Sequence, residues 1–253
     1  MTFGAASALW AVIYGVAGAI IGSFVAALVL RWLDDRSVLT GRSACDHCGE
    51  TLRAWELVPV LSFVALRGRC ARCRQPIDPL HWRIETIAAL IGVSAGWVAG
   101  PDGWTGALFG WTLLALGALD ALAFWLPDRL TAWLAGAGLL TGLLGHAPLL
   151  SERIVGGLVG FGALWAIAQG YRWWRGREGM GGGDPKLMGA IGLWLGWRML
   201  PGVLPAACVI GIGFVALRHL LGRRASGQDM VPLGLLLALA AYPAWVLMIG
   251  LAT

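Results

Sequence analysis

The sequence is poor in charge. Only 13% of its 253 residues are Asp, Glu, Lys or Arg, about half the fraction found in soluble domains, and Lys186 is its single lysine. With 58% hydrophobic residues and a mean hydropathy of +0.73, the chain carries more apolar surface than a soluble core of this length can bury. That excludes an ordinary water-soluble domain. It also lacks a basic stretch ahead of its first apolar run. That run is longer than the ~7–15 residue core of a cleaved signal, and positive charge follows it rather than precedes it. It reads as a retained helix with its N-terminus outside. There is no internal repeat, and no low-complexity tract beyond Gly/Ala/Leu-rich helices.

What is present is a series of apolar runs near the ~20 residues needed to cross a bilayer. Eight are found, at roughly 7–30, 84–100, 104–125, 130–149, 154–174, 187–201, 203–222 and 231–251. If the first runs inward, the inner segments hold seventeen of the nineteen Arg and Lys residues, leaving Arg153 and Arg198 outside. This follows the positive-inside rule. The basic balance is then a matter of loops against anionic lipid, and points away from nucleic acid. Small residues within the runs, as in Gly136–Gly142 and Gly189–Gly196, allow helices to approach closely.

One polar segment interrupts this pattern between the first two spans. It holds Cys45-x-x-Cys48 and Cys70-x-x-Cys73, separated by 21 residues. Each pair places two thiolates on a tight turn, and two such turns complete a tetrahedral sulfur site suited to zinc. Four thiolates leave no open position, so the expected role is structural. A module of ~50 residues has little core of its own, and metal binding would supply much of its folding energy. Cys208, alone in a span, reads as an ordinary buried residue.

Three carboxylates stand out near the inner ends of spans. Asp120 lies in LLALGALDALAFWLPD, where a charge costs roughly 2.5–3.5 kcal/mol to insert, and so marks a candidate functional site. Asp128 follows Leu-Pro and precedes an apolar run, the place of a helix N-cap. Asp184 follows Gly181, Gly182 and Gly183 and precedes Pro185 and Lys186. Asp-Pro suits a helix start, while three glycines suggest positive φ or close approach by another chain. Asp120 and Asp184 together are two carboxylates at one membrane face. Such a pair can activate water for peptide hydrolysis, one as base and the other as acid.

The order of these features resembles the type IV prepilin peptidase family, the leader peptidase/N-methyltransferases that are GxGD-type aspartyl proteases. Gly22-Ser23-Phe24 is similar to the family's opening, residues 42–77 to its two-CxxC domain, LDALAFWLPDRLT to its first aspartate block, GGGDPKLMG to its GxGD-x-K motif, and MVPLGLLLALA to its closing segment. The resemblance implies that Asp120 and Asp184 are catalytic, with Asp128, Gly181, Gly183 and Lys186 supporting, and that the four cysteines bind zinc. It further implies cleavage of basic prepilin or pseudopilin leaders after glycine at the cytoplasmic face of the bacterial inner membrane. N-methylation with S-adenosylmethionine would follow, for which Glu85 is a candidate ligand. The expected fold is an all-α polytopic membrane protein of about eight spans. Residues 1–31 form the first helix, 32–83 a cytoplasmic zinc-ribbon-like domain and 84–253 a peptidase bundle. The competing readings are a membrane scaffold or transporter with a zinc docking domain, and a peptidase lacking methyltransferase activity.

Overall fold

The computed structural model describes residues 2–37, 43–45, 47–221 and 230–251. Arg42, Arg223 and Arg224, counted above toward the inner face, and Asp46 of the first CxxC lie outside the described residues. Among those described, the structure is helical with no strand: α1 (Thr2–Leu33), α2 (Leu61–Ala65), α3 (Leu80–Ala99), α4 (Gly103–Ala123), α5 (Asp128–Leu143), α6 (Leu150–Arg175), α7 (Gly183–Leu195), α8 (Leu200–Leu220) and α9 (Leu233–Gly250). Apart from the short α2, these are the eight apolar runs of the sequence. Five stretches are long and apolar enough to cross a membrane, one of them the continuous Leu80–Ala123 that joins α3 and α4. The chain divides into two compact units, residues 1–115 and 116–253.

In the first unit α1 packs along α3 through paired small residues. Gly18 and Gly22 on α1, and Gly92 and Gly96 on α3, are each four apart. A methyl added to Gly22 would come within 2.7 Å of the Glu85 backbone, and one on Gly96 would strike the backbone of Trp10. In lipid no hydrophobic force drives helices together, so such backbone-to-backbone packing is what holds the pair. Tyr14 donates to the Pro101 carbonyl at 2.6 Å, and Trp111 Nε1 to that of Ala88 at 2.9 Å.

The second unit is built around α7. At 13 residues it is about 20 Å long, short of the ~30 Å hydrocarbon thickness. It starts four residues earlier than the run 187–201 suggested, and it stops where Gly196 adopts φ +69°. Ten of its residues are buried, against neighbours that include α5, α6 and α9. Gly156 and Gly192 meet backbone to backbone across α6 and α7, and Trp194 Nε1 donates to Leu134 O at 2.8 Å. Cys208 is exposed on α8 rather than buried.

Arg153 is 1% exposed, yet no carboxylate pairs with it among the described contacts. Its guanidinium donates instead to five carbonyls: Pro148 (3.0 Å), Gly138 (2.9 Å), Leu193 (2.9 Å), His146 (3.3 Å) and Ala147 (2.7 Å). Five donors in a planar fork match five acceptors. The side chain thereby ties α5, the 144–149 turn and the end of α7 into one piece. Lysine has three donors and no fork. Arg153→Lys should therefore destabilise the protein by about 2 kcal/mol or more, read as a lower thermal midpoint in detergent. An unchanged midpoint would mean that the carbonyl cage carries no stability.

Candidate active site

Two repeated turns bring the four cysteines together. Cys45 N donates to Glu50 O and Gly49 N to Cys45 O, at 2.9 and 2.8 Å; Cys70 N donates to Gln75 O and Arg74 N to Cys70 O, at 2.9 and 3.1 Å. Antiparallel bridges Ala44–Thr51 and Arg69–Pro76 close both turns in the same register. The residue after each second cysteine is left-handed: Gly49 at φ +70° and Arg74 at φ +61°. The four sulfurs all lie within 4.8 Å of one another, with Cys45 and Cys73 at 3.8 Å. Sulfurs around a tetrahedral zinc sit roughly 3.8 Å apart for ~2.3 Å bonds, so the donor set fits a zinc ion held by Cys45, Cys48, Cys70 and Cys73. Hydrogen bonds from the backbone of Cys73 and Arg72 hold the Cys70 thiol at about 7, below the ordinary thiol value. That favours the thiolate a metal requires at Cys70, whereas burial and the neighbouring sulfurs push the Cys73 thiol up to about 11. With four protein ligands such an ion would be structural, bracing the segment between α1 and α3.

The carboxylates gather in the second unit. Asp120, three residues before the end of α4, is 5% exposed, and Asp184, in the first turn of α7, is 7% exposed. Asp120 Oδ2 accepts the N–H of Leu235 at 2.9 Å. That N–H belongs to the first turn of α9, whose N-cap position is Pro232 with no capping side chain. Asp120 thus satisfies a donor that the helix cannot pair internally, and sits at the positive end of its dipole. Asp184 is likewise in a first turn, with a backbone hydrogen bond from Gly181. The two carboxylates are near enough for the charge of Asp120 to act on Asp184.

Leu126 explains how they are brought together. It lies in the turn between α4 and α5, where a methyl on Gly183 would come within 2.8 Å of its Cβ and one on Gly234 within 3.0 Å of its Cδ2. The methyl on Gly234 would also lie 2.9 Å from Asp120 Oδ2. Both helix starts therefore need glycine where the turn wedges between them. Lys186 Nζ pairs with Asp128 Oδ1 at 2.7 Å, linking the first turns of α5 and α7. Both groups are about half exposed or more, so this pair adds little energy by itself.

Three expectations change. Asp128 does not cap α5: Pro127 holds the N-cap position, and the carboxylate turns to Lys186. Asp184 is not a cap either, since Gly182 precedes the helix and Asp184 is its second residue. The glycine run does not use positive φ; none of Gly181, Gly182 and Gly183 is left-handed. Gly181 lies against the Asp184 carboxylate and Gly183 against Leu126, so close approach is what those two provide. Glu85 lies in the first unit, 7% exposed, accepting the Val60 N–H at 2.7 Å. Sequence reasoning assigns no role to Gly234, Leu235, Leu126 or the fork of Arg153. The only signal for the first two was the Pro-x-Gly of the closing segment.

Fold and site together describe a polytopic helical membrane protein with two buried aspartates at helix ends and a four-cysteine metal module. Residues 16–99 match the family model for the bacterial peptidase A24 N-terminal domain, and 107–216 that for the type IV leader peptidase family. The chain is 40% identical over 230 residues to a prepilin leader peptidase/N-methyltransferase of Burkholderia pseudomallei (strain K96243), covering 79% of this chain and 74% of that protein. A protein of the same name from Aeromonas hydrophila is 36% identical over 209 residues (81% and 71%), and one from Pseudomonas aeruginosa is 34% identical over 204 (79% and 69%). No solved structure matches. The chain belongs to the type IV leader peptidase family, and it is a multi-pass protein of the inner membrane.

Two outcomes follow from the glycines and from Arg74. Gly234→Ala should displace the Asp120 carboxylate while leaving the bundle folded, lowering turnover by about tenfold or more with a thermal midpoint within a few degrees of wild type. Arg74→Gly removes a left-handed non-glycine residue and should stabilise the metal module by about 1 kcal/mol, read as slower zinc loss to a chelator. Zinc loss at the wild-type rate would mean that the turn is not strained.

Proposed function

We propose that this chain is a membrane aspartyl endopeptidase. It cleaves the basic leader of type IV prepilins or type II secretion pseudopilins after glycine, with Asp120 and Asp184 as its catalytic pair. The observation that supports this reading most is the burial of these two carboxylates, from α4 and from α7, beside the one turn where Leu126 packs on both Gly183 and Gly234. A prepilin leader is basic and its following segment apolar, so the scissile bond lies at the membrane boundary. A protease for that junction needs its acids at helix ends, where water enters.

In the proposed mechanism one aspartate is ionised and the other protonated, the arrangement that like charges at short range enforce. The ionised group takes a proton from water as it attacks the scissile carbonyl. The protonated group donates to the carbonyl oxygen, and the proton taken from water then passes to the leaving amine. Leu235 N–H orients Asp120 through the reaction, and the Asp128–Lys186 pair supports the placement of α7 against α5. On this reading the N-terminus is outside and the cysteine module is cytoplasmic, with Arg53, Arg67, Arg69, Arg72 and Arg74 on the side where positive charge is favoured. The relatives' names pair the peptidase with an N-methyltransferase, and we extend that to this chain: the freed amine is methylated with S-adenosylmethionine. The module's zinc holds it folded and takes no part in cleavage.

Asp120→Asn and Asp184→Asn should each lower cleavage of a prepilin in membranes by at least ~100-fold, and the double variant should be no worse than the poorer single one. Near-wild-type cleavage by either single variant would remove the dyad. Mass spectrometry of the wild-type product should show a methylated N-terminus when S-adenosylmethionine is supplied. A product that stays unmethylated would leave a peptidase alone.

A further inference from the structure

The segment between α1 and α3 exposes an apolar surface that no span explains. Leu61 and Val64, on α2, are 68% and 67% exposed, and Trp55, Leu57 and Val58 are 40–49% exposed. These residues belong to the polar segment, where exposed apolar side chains would ordinarily be unfavourable. They are also clustered within ten positions of the chain, not scattered singly.

Three contacts within the first unit place this surface. The rings of Phe63 on α2 and Trp82 on α3 lie 5.9 Å apart. Glu85 on α3 accepts the N–H of Val60, directly before α2, at 2.7 Å. Phe63 also fills the space over Gly68, where a methyl would come within 2.8 Å of its ring. α2 is therefore fixed against residues 82–85, the first two turns of the apolar stretch that begins at Leu80. In a membrane these would be the turns by which the helix enters the bilayer. Val60 holds φ +59° to make this turn; a β-branched residue there is costly, and the buried Glu85 carboxylate secures it.

The flanking charge is predominantly basic. Arg53, Arg67 and Arg69 are exposed on either side of the apolar residues, and Arg83 is exposed at the start of α3. Glu56, the one acidic residue between 53 and 69, is engaged by the backbone of Arg53 at 2.6 Å. Apolar side chains bordered by arginines at the entry depth of a span are the features of a segment lying in the membrane interface.

We propose that residues 53–69 form an interfacial anchor: Trp55, Leu57, Val58, Leu61 and Val64 lie in the headgroup–acyl boundary of the bilayer, with the surrounding arginines on anionic headgroups. The cysteine pairs on either side of this segment are then held close to the membrane, not extended on a flexible tether. This is independent of which residues catalyse cleavage.

The test uses the full-length protein in nanodiscs of phosphatidylethanolamine and phosphatidylglycerol, with a photo-crosslinking p-benzoylphenylalanine placed singly at Leu61, Val64 or Glu50. Mass spectrometry should find lipid adducts at 61 and 64 at least about fivefold above those at 50, as expected for side chains at acyl-chain depth. Adducts to residues 116–253 or to a second copy, or equal lipid adducts at all three positions, would overturn the proposal. Hydroxyl-radical footprinting of the unmodified protein in the same nanodiscs reads the same surface without substitution. Leu61 and Val64 should be protected there, and labelling at a water-exposed level would equally overturn it.

Discussion

The N-terminus of α9 lacks an acceptor of its own, and Asp120 supplies one from the end of α4. Pro232 offers no capping side chain, so the N–H of Leu235 would be left unpaired in an apolar setting, a cost of about 1–3 kcal/mol. Meeting it brings a carboxylate into the bundle and fixes where it points. Leu126 then occupies the space that side chains at 183 and 234 would need, which sets the start of α7, and with it Asp184, at the same turn. One unsatisfied helix end and one leucine wedge thus account for two buried acids in a chain with only 13% charged residues.

The polar interactions of the second unit are concentrated at its helix ends. Near one end of α7, Leu193 accepts from Arg153, which gathers carbonyls from α5 and the following turn. At the other end, Lys186 reaches Asp128 and Asp184 approaches Asp120. Between them α7 is packed on glycine and tryptophan contacts with its neighbours. A short helix pinned at both ends has little freedom to shift its first turn, which is the property that a proposed catalytic carboxylate requires. The cysteine module has too little core to hold itself, and its four clustered sulfurs are placed to bind a metal that would supply the missing stability.

Much of this was legible in the sequence, for physical reasons that differ from residue to residue. Long apolar runs report bilayer spans directly, so the helices emerged close to their positions. The CxxC spacing reports a tetrahedral thiolate site because geometry leaves it few other uses. Asp120 could be singled out because a carboxylate in an apolar run carries a cost. The misreadings have a common cause. Asp128 and Asp184 resemble caps in local sequence, but Pro127 and Gly182 hold those positions, and tertiary partners decide where the carboxylates turn. Leu235 and the carbonyls around Arg153 act through backbone groups that every residue has, so their identities carry no signal. The apolar run begins four residues after α7 does, because the helix's first turn is glycine, aspartate and proline.

The central claim is that Asp120 and Asp184 act as one titrating pair. The most direct measurement is the pH dependence of kcat/KM for cleavage of a prepilin substrate by the zinc-loaded protein in nanodiscs. A dyad with one ionised and one protonated member predicts a bell-shaped profile with two limbs that belong to the pair jointly. A profile with a single limb, or a rate that is flat with pH and follows metal loading, would contradict it.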